Sequence, residues 1–354
     1  WIFSERQEFN VIPTDTINIH IDKDALLRSG IMLPEAIRHL KGEELKDAIP
    51  DKLYIPLKDI RMLNKVDLLM LEILANCNWE RPLYLAISVG SVSKLKFDNY
   101  FVQEGLAFRF TPFDYKKWGD ADENRPYAVD VERLYDNVMN RYKYGGLNTP
   151  GLYLDETTLR TCWYHRRLFA QLAKELIIQG DPARAKKVLA YAEQAVPGYN
   201  VPETYESGSY SIAIAYAALG EKMKTITLTE HLIAEAEDYI NWAFSLKGNR
   251  MEMVRNDCIY KFWQWNQCNE LLKKVDEESY KESNRRFEDK YALFAQTWVI
   301  RTKTKEEHGN KNNEAERDGI WQEKLCDSAN WIDNNNSGIS VHERRGEYPR
   351  RLQP

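Results

Sequence analysis

The sequence predicts an α+β protein, an N-terminal mixed α/β domain followed by an all-α helical-repeat domain. Three observations carry this prediction. The first 150 residues hold short apolar runs of strand type around a helical pattern. The densest run of turn residues, Gly145-Gly146-Leu147-Asn148-Thr149-Pro150-Gly151, then interrupts the chain. Beyond it only helical periodicity remains, until the sequence turns polar at Arg301. The expected organisation is a mixed domain over 1–150, a helical-repeat domain over 151–300 and an irregular polar tail over 301–354.

Each element has a local reason. In Thr16-Ile17-Asn18-Ile19-His20-Ile21-Asp22 isoleucines alternate with polar residues, the period of a half-buried strand. Leu53, Ile55 and Leu57 alternate likewise, and Pro56, which cannot donate to a ladder, assigns that strand to an edge. Lys65 to Asn76 is apolar on most sides, so a helix covered over most of its circumference is expected. Pro82 to Val89 is a near-continuous apolar run that suits a central strand, which would make strand, helix and strand a crossover unit. Phe108 and Phe110 suggest one more strand. Asp130 is placed to cap a helix over Val131 to Tyr142, with Val131, Leu134, Tyr135, Val138 and Tyr142 along one face.

Arg166 to Pro197 fits the helix–turn–helix repeat of tetratricopeptide type, about 34 residues long. Ala173, Ala185 and Ala192 fall where two helices approach closely, Gly180-Asp181 makes the turn, and Pro197 ends the second helix. The next pair repeats the turn at Gly220-Glu221, but Thr225 and Thr229 stand where alanine and a large apolar residue are expected. Gly180 and Gly220 are 40 residues apart, so the loop Gly198 to Tyr205 must absorb about six residues beyond the usual period. A third pair, near Asn256 to Val275 and Glu277 to Ile300, keeps the helical pattern and loses the motif, as a capping repeat would.

Composition narrows the function. With 49 Lys plus Arg against 54 Asp plus Glu the net charge is −5, which excludes a chain-wide nucleic-acid-binding surface. No stretch reaches the roughly 18 apolar residues of a membrane span, and the longest run, Gly208 to Gly220, suits a buried helix. The chain opens on Trp1 with no apolar leader, the expectation for a piece of a longer protein or a processed product. Five cysteines (Cys77, Cys162, Cys258, Cys268, Cys326) are widely spaced without metal or redox spacing, so neither a disulfide scaffold nor a zinc site is expected.

No catalytic motif stands out. The six histidines are scattered; His20 lies on the polar side of a strand, and His165 sits among aromatics, where packing is the expected role. Gly90-Ser91-Val92-Ser93 is the one small-residue turn that could hold a ligand at a strand end, though an ordinary turn is the expectation. Asp120-Ala121-Asp122-Glu123-Asn124 is expected to be a solvated acidic loop, with calcium the minor alternative, since the calcium-type spacing fails at Arg125 and Val131. No catalytic residue, metal ligand or cofactor is therefore assigned. Trp242, Phe244, Tyr260, Phe262, Trp263 and Trp265 crowd the third pair. Tyr260 with Trp263 and Phe262 with Trp265 lie on two different faces, of which one must be core and the other is open to use as a peptide or sugar platform.

Four segments carry a resemblance: Leu71 to Tyr84 (LEILANCNWERPLY), Glu104 to Arg109, Arg133 to Met139 and Gly151 to Thr157. Together they resemble the soluble C-terminal region of large multi-spanning membrane proteins of unassigned function. Those are related to protein O-mannosyltransferases, of the GT-C superfamily of lipid-phosphosugar-dependent glycosyltransferases. The resemblance runs from about Phe9 to Leu246. It implies a water-facing, extracytoplasmic (periplasmic) portion, tied to the membrane through an upstream region and lacking the catalytic acid, which in that superfamily lies between early spans. The implied role is to position an acceptor protein or stabilise the complex. The alternative is a free-standing repeat adaptor with no glycosylation role. For either, the expected partner is a protein or peptide, held on the groove formed by the first helices of each pair. The candidate residues there are Arg166, Arg167, Gln171, Tyr210 and Tyr216.

Overall fold

The computed structural model describes residues 14–306 except 59, 61, 90–94, 96, 122–126 and 248. The Gly90–Ser93 turn, most of the acidic loop after Ala121, Cys326, His308, His342 and the tail beyond residue 306 lie outside the described residues. The chain divides into two compact units between Lys143 and Tyr144.

In the first unit, β1 (Thr16–His20) leads to α1 (Lys23–Arg28), α2 (Gly42–Ala48) and β2 (Lys52–Pro56). Strands β1 and β2 pair antiparallel, Ile19 opposite Leu53 and Ile17 opposite Ile55, as a separate two-stranded sheet. Ile19, Ile21, Leu53 and Ile55 face the core and His20 faces outward, as their alternation requires.

Helix α3 (Lys65–Asn76) starts on a capping box in which Asn64 and Asp67 bond reciprocally. It departs from expectation. Only Asp67, Leu71 and Leu74 are buried, while Val66, Leu68, Leu69 and Ile73 are 42–60% exposed. The apolar arc is wider than the single face that the core covers. The helix ends at Cys77, and Asn78 and Trp79 follow with φ of 48° and 61°, left-handed values that non-glycine residues seldom adopt. The buried Trp79 indole, which donates to His20 O at 2.8 Å, holds that turn in place.

The run from Pro82 yields β3 (Tyr84–Ala86), and it is not central. A four-stranded sheet has the order β3-β5-β4-β6, with β4 at Phe101–Gln103, β5 at Ala107–Phe110 and β6 at Ala128–Val129. Strand β3 is its half-exposed edge, antiparallel to β5, and β4 pairs parallel with β6. Because β2 and β3 belong to different sheets, β2, α3 and β3 are no crossover unit; an apolar run does not fix how many strands flank it, and β3 has one neighbour. A short α4 (Tyr115–Trp118) precedes β6, and α5 (Val131–Asp136) begins on Asp130, whose carboxylate accepts from Arg133 N. The helix expected to run to Tyr142 widens into a π-type turn at Asn137–Arg141. That turn delivers the Tyr142 hydroxyl to Leu106 N at 2.9 Å. Gly105 makes room for it: a Cβ there would stand 2.0 Å from the Tyr142 oxygen, at a φ of +155°.

Among its described residues the second unit has helices and loops but no strand: α6 (Glu156–Ile178), α7 (Pro182–Ala195), α8 (Ser209–Ala218), α9 (Lys222–Ser245), the short α10 (Asn249–Met253), α11 (Arg255–Val275) and α12 (Glu277–Glu306). Helix α6 packs on α7 and α8, α8 on α9, α9 on α11 and α11 on α12. Ala173, Ala185 and Ala192 are buried at helix contacts, as are Thr225 and Thr229. Helix α6 starts ten residues ahead of Arg166, capped by Asp155, which accepts from Thr157 N and Thr158 N. Helix α12 continues through Glu306, six residues into the segment expected to be irregular; the charged residues there leave helical propensity intact. The third pair encloses Phe262 and Trp265, and the Trp265 indole donates to Ser283, which donates to Asn269 Oδ1 at 2.6 Å. No described helix is long and apolar enough to cross a membrane.

Candidate functional site

The five candidate residues go to different places. Arg166 is buried and turned toward the extra-long loop between α7 and α8. Its Nη1 donates to Pro202 O at 2.7 Å and Ser207 Oγ at 2.9 Å, and its Nη2 to Val196 O at 3.1 Å and Val201 O at 2.5 Å. Burial brings its pKa down to about 10, against the opposing pull of Glu203 and Cys162, so the guanidinium stays charged at neutral pH. Its hydrogen-bonding capacity is used inside the chain. Asn200 of the same loop donates to Leu147 O and Thr149 O at 2.7 and 2.6 Å, tying the loop to the glycine-rich turn.

Arg167, partly exposed, directs Nε and Nη2 at Glu206 O and lies 5.9 Å from the Tyr164 ring. Gly208, at φ +91°, allows that approach, since a Cβ there would meet Arg167 Cγ at 2.7 Å. Gln171 donates to Glu175 at 2.9 Å along its own helix. Tyr210 stacks on Tyr205 at 4.8 Å and donates to Gln267 O at 3.0 Å.

Tyr216 lies elsewhere. With Arg166 it lines a cleft of about 370 Å³ between α7 and α9, whose buried apolar lining is Leu189, Ala192, Val196, Ile212 and Leu228. Its hydroxyl donates to Glu193, which also pairs with Lys224 at 2.6 Å, and the Lys224 ammonium sits 5.0 Å from the Tyr216 ring. Burial, then the Glu193 contact, push its pKa up, so the phenol remains a donor. Glu193 and Lys224 escaped notice in the sequence because their partners sit on other helices.

The third-pair aromatics separate as two faces. Phe262 and Trp265 are core, whereas Tyr260 and Trp263 are partly exposed and stack at 5.6 Å. Trp263 meets Tyr205 edge-on at 5.4 Å, and the Tyr260 hydroxyl lies in the electrostatic neighbourhood of Arg167 and Glu206. Thus α6 (Tyr164, Arg167), the loop residues Tyr205 and Glu206, and α11 (Tyr260, Trp263) share one surface. Beneath it Lys261 pairs with Glu206 at 3.3 Å and Glu235 at 2.8 Å, and Gln264 donates to Glu206 at 2.7 Å. The three-residue spacing of Tyr260 and Trp263 was the signal in the sequence; nothing local joins it to Tyr164 or Glu206.

The first unit gathers residues of the resemblance into a knot centred on the buried Glu104 and Arg109. Glu104 accepts from the Tyr84 hydroxyl at 2.8 Å and Arg133 at 2.5 Å, with Arg109 at 3.6 Å, and its carbonyl accepts from Asn137 at 2.7 Å. Arg109 also donates to Ser29 O and Gly30 O at 2.9 and 3.2 Å. One carboxylate bonded to groups from three elements locks β3, β5 and α5 together. Elsewhere His165 meets Tyr144 edge-on at 5.2 Å, and burial lowers its pKa. Cys162, Cys258 and Cys268 are buried thiols, and no cluster of His, Cys, Asp or Glu among the described residues would hold a metal.

Comparison with known proteins places one part of the chain. Residues 2–131 match TMEM260-associated domain 2, a domain that accompanies a membrane-protein family. The match takes in all six strands and α1 to α4 and stops where α5 begins. Of the four segments of the resemblance, it includes Leu71 to Tyr84 and Glu104 to Arg109. No curated protein and no solved structure matches the chain.

Proposed function

We propose that this chain is the non-catalytic, water-facing portion of a membrane glycosyltransferase-like protein, in which the helical unit positions an acceptor protein or stabilises the complex. The observation that carries the reading is the surface of Tyr164, Arg167, Tyr260 and Trp263. It joins flat aromatic faces and a guanidinium on neighbouring helices, the composition that recurs at the energetic centre of protein interfaces. The match of residues 2–131 to TMEM260-associated domain 2 supports the membrane connection, and the charged knot at Glu104 fits a first unit that serves as scaffold. The test is fractionation of the full-length gene product. It should sediment with membranes and stay there through an alkaline wash. Recovery in the supernatant would remove the membrane reading and restore the free-standing adaptor.

A further inference from the structure

We propose that the surface built from Tyr164 and Arg167 of α6 and Tyr260 and Trp263 of α11 binds an acidic peptide segment, with a Glu or Asp carboxylate on Arg167 and an adjacent proline or aromatic side chain against Trp263. The inference rests on the reading that the helical unit holds a protein, and it names the chemistry of what is held.

Three facts carry it. First, the surface is rich in unspent donors. Arg167 uses Nε and Nη2 on Glu206 O, while Nη1 has no acceptor among the described residues. The Tyr164 hydroxyl and Trp263 Nε1 likewise have none among them. A ligand that completes this surface must bring acceptors, and a carboxylate is the strongest acceptor a protein segment carries. Second, Glu206, the carboxylate beside Arg167, is already occupied. Glu206 takes Lys261 and Gln264, and Lys261 also holds Glu235, so Arg167 is the cation of this surface with capacity to spare. Third, the platform is pre-set. Tyr260 and Trp263 stack at 5.6 Å, Trp263 is braced by Tyr205 at 5.4 Å, and Tyr205 stacks on Tyr210 at 4.8 Å. A braced ring loses little entropy when a flat or apolar side chain lies on it.

The experiment pans a displayed library of random nonapeptides against the full chain. The strongest binder is then titrated by fluorescence anisotropy. The proposal expects enrichment of Asp or Glu beside an aromatic residue or proline. It expects about a tenfold weaker Kd when that acid is changed to its amide in the peptide, and a similar loss in Arg167→Gln. The peptide-side change leaves the protein untouched, so it decides the matter even if Arg167→Gln loosens the loop at Glu206. Enrichment of non-acidic peptides, or equal Kd for acid and amide, overturns the acidic class. If such peptides are still lost in Trp263→Ala, the protein-holding reading survives that result; if no peptide enriches, both go. Binding of the neutral sugar maltohexaose, abolished in Trp263→Ala, would overturn the peptide class in favour of a glycan.

Discussion

Replacing Arg166 by methionine keeps most of the side chain's length and removes its guanidinium. Four acceptors lose their donor: the carbonyls of Val196, Val201 and Pro202 and the Ser207 hydroxyl. A hydrogen bond from a charged group is worth about 1.5–3 kcal/mol net, but the four share one cation and do not add. The variant also escapes the cost of keeping a charge buried without a bonded carboxylate, which offsets part of the loss. Pro202 is exposed, so water can serve its carbonyl, whereas Val196 and Val201 are buried and stay short of a donor. The balance is a destabilisation of about 3–5 kcal/mol, or a Tm lower by roughly 10 °C. Chemical denaturation followed by tryptophan fluorescence measures it, with Arg166→Lys as the control that keeps the charge and loses the planar fork. A loss below about 1 kcal/mol in Arg166→Met would mean that the loop holds itself and that the buried guanidinium is incidental.

Three further outcomes follow from particular contacts. Gly105→Ala should cost about 2–4 kcal/mol in urea denaturation, since its Cβ would displace the Tyr142 hydroxyl from Leu106 N, and Tyr142→Ala in the same chain should return part of that loss. Asp276 accepts from Lys222 and from Ser279, and these bonds, against burial, lower its pKa to about 2; a depressed carboxylate gives stability that is complete above its unfolded value near 3.8 and lost as pH falls toward 2. Asp276→Asn should therefore flatten the dependence of stability on pH between about 4 and 2, as melts across that range would show. On α3, Leu69→Ala should change stability by less than about 0.5 kcal/mol and Leu74→Ala should cost about 2–4 kcal/mol, because the first is 60% exposed and the second 3%.

Local patterns carried much of the fold. Alternating isoleucines found β1, Asp130 found the start of α5, and the small residues at 173, 185 and 192 found the contacts of the first helix pair. What misled was burial. The apolar runs over α3 and β3 look like interior elements, but a run of side chains does not say how many neighbours the chain will supply, and both lie at the margin of their unit. The candidate surface was legible in pieces. Arg167 and the Tyr260–Trp263 pair could be named, yet the loop from Val196 to Ser207 decides that Arg166 turns inward and Arg167 outward, and loop geometry leaves no periodic trace.

The central claim is that the surface around Trp263 holds a protein segment. Its most direct test replaces Trp263 with a photo-crosslinking phenylalanine derivative in the full-length gene product expressed in its native cells, with the exposed Ile178 replaced in a parallel sample. A crosslink to a discrete protein at 263, absent at 178 and lost when Arg167→Gln is added, is the result predicted. Equal crosslinking at the two positions, or none at 263, would contradict it.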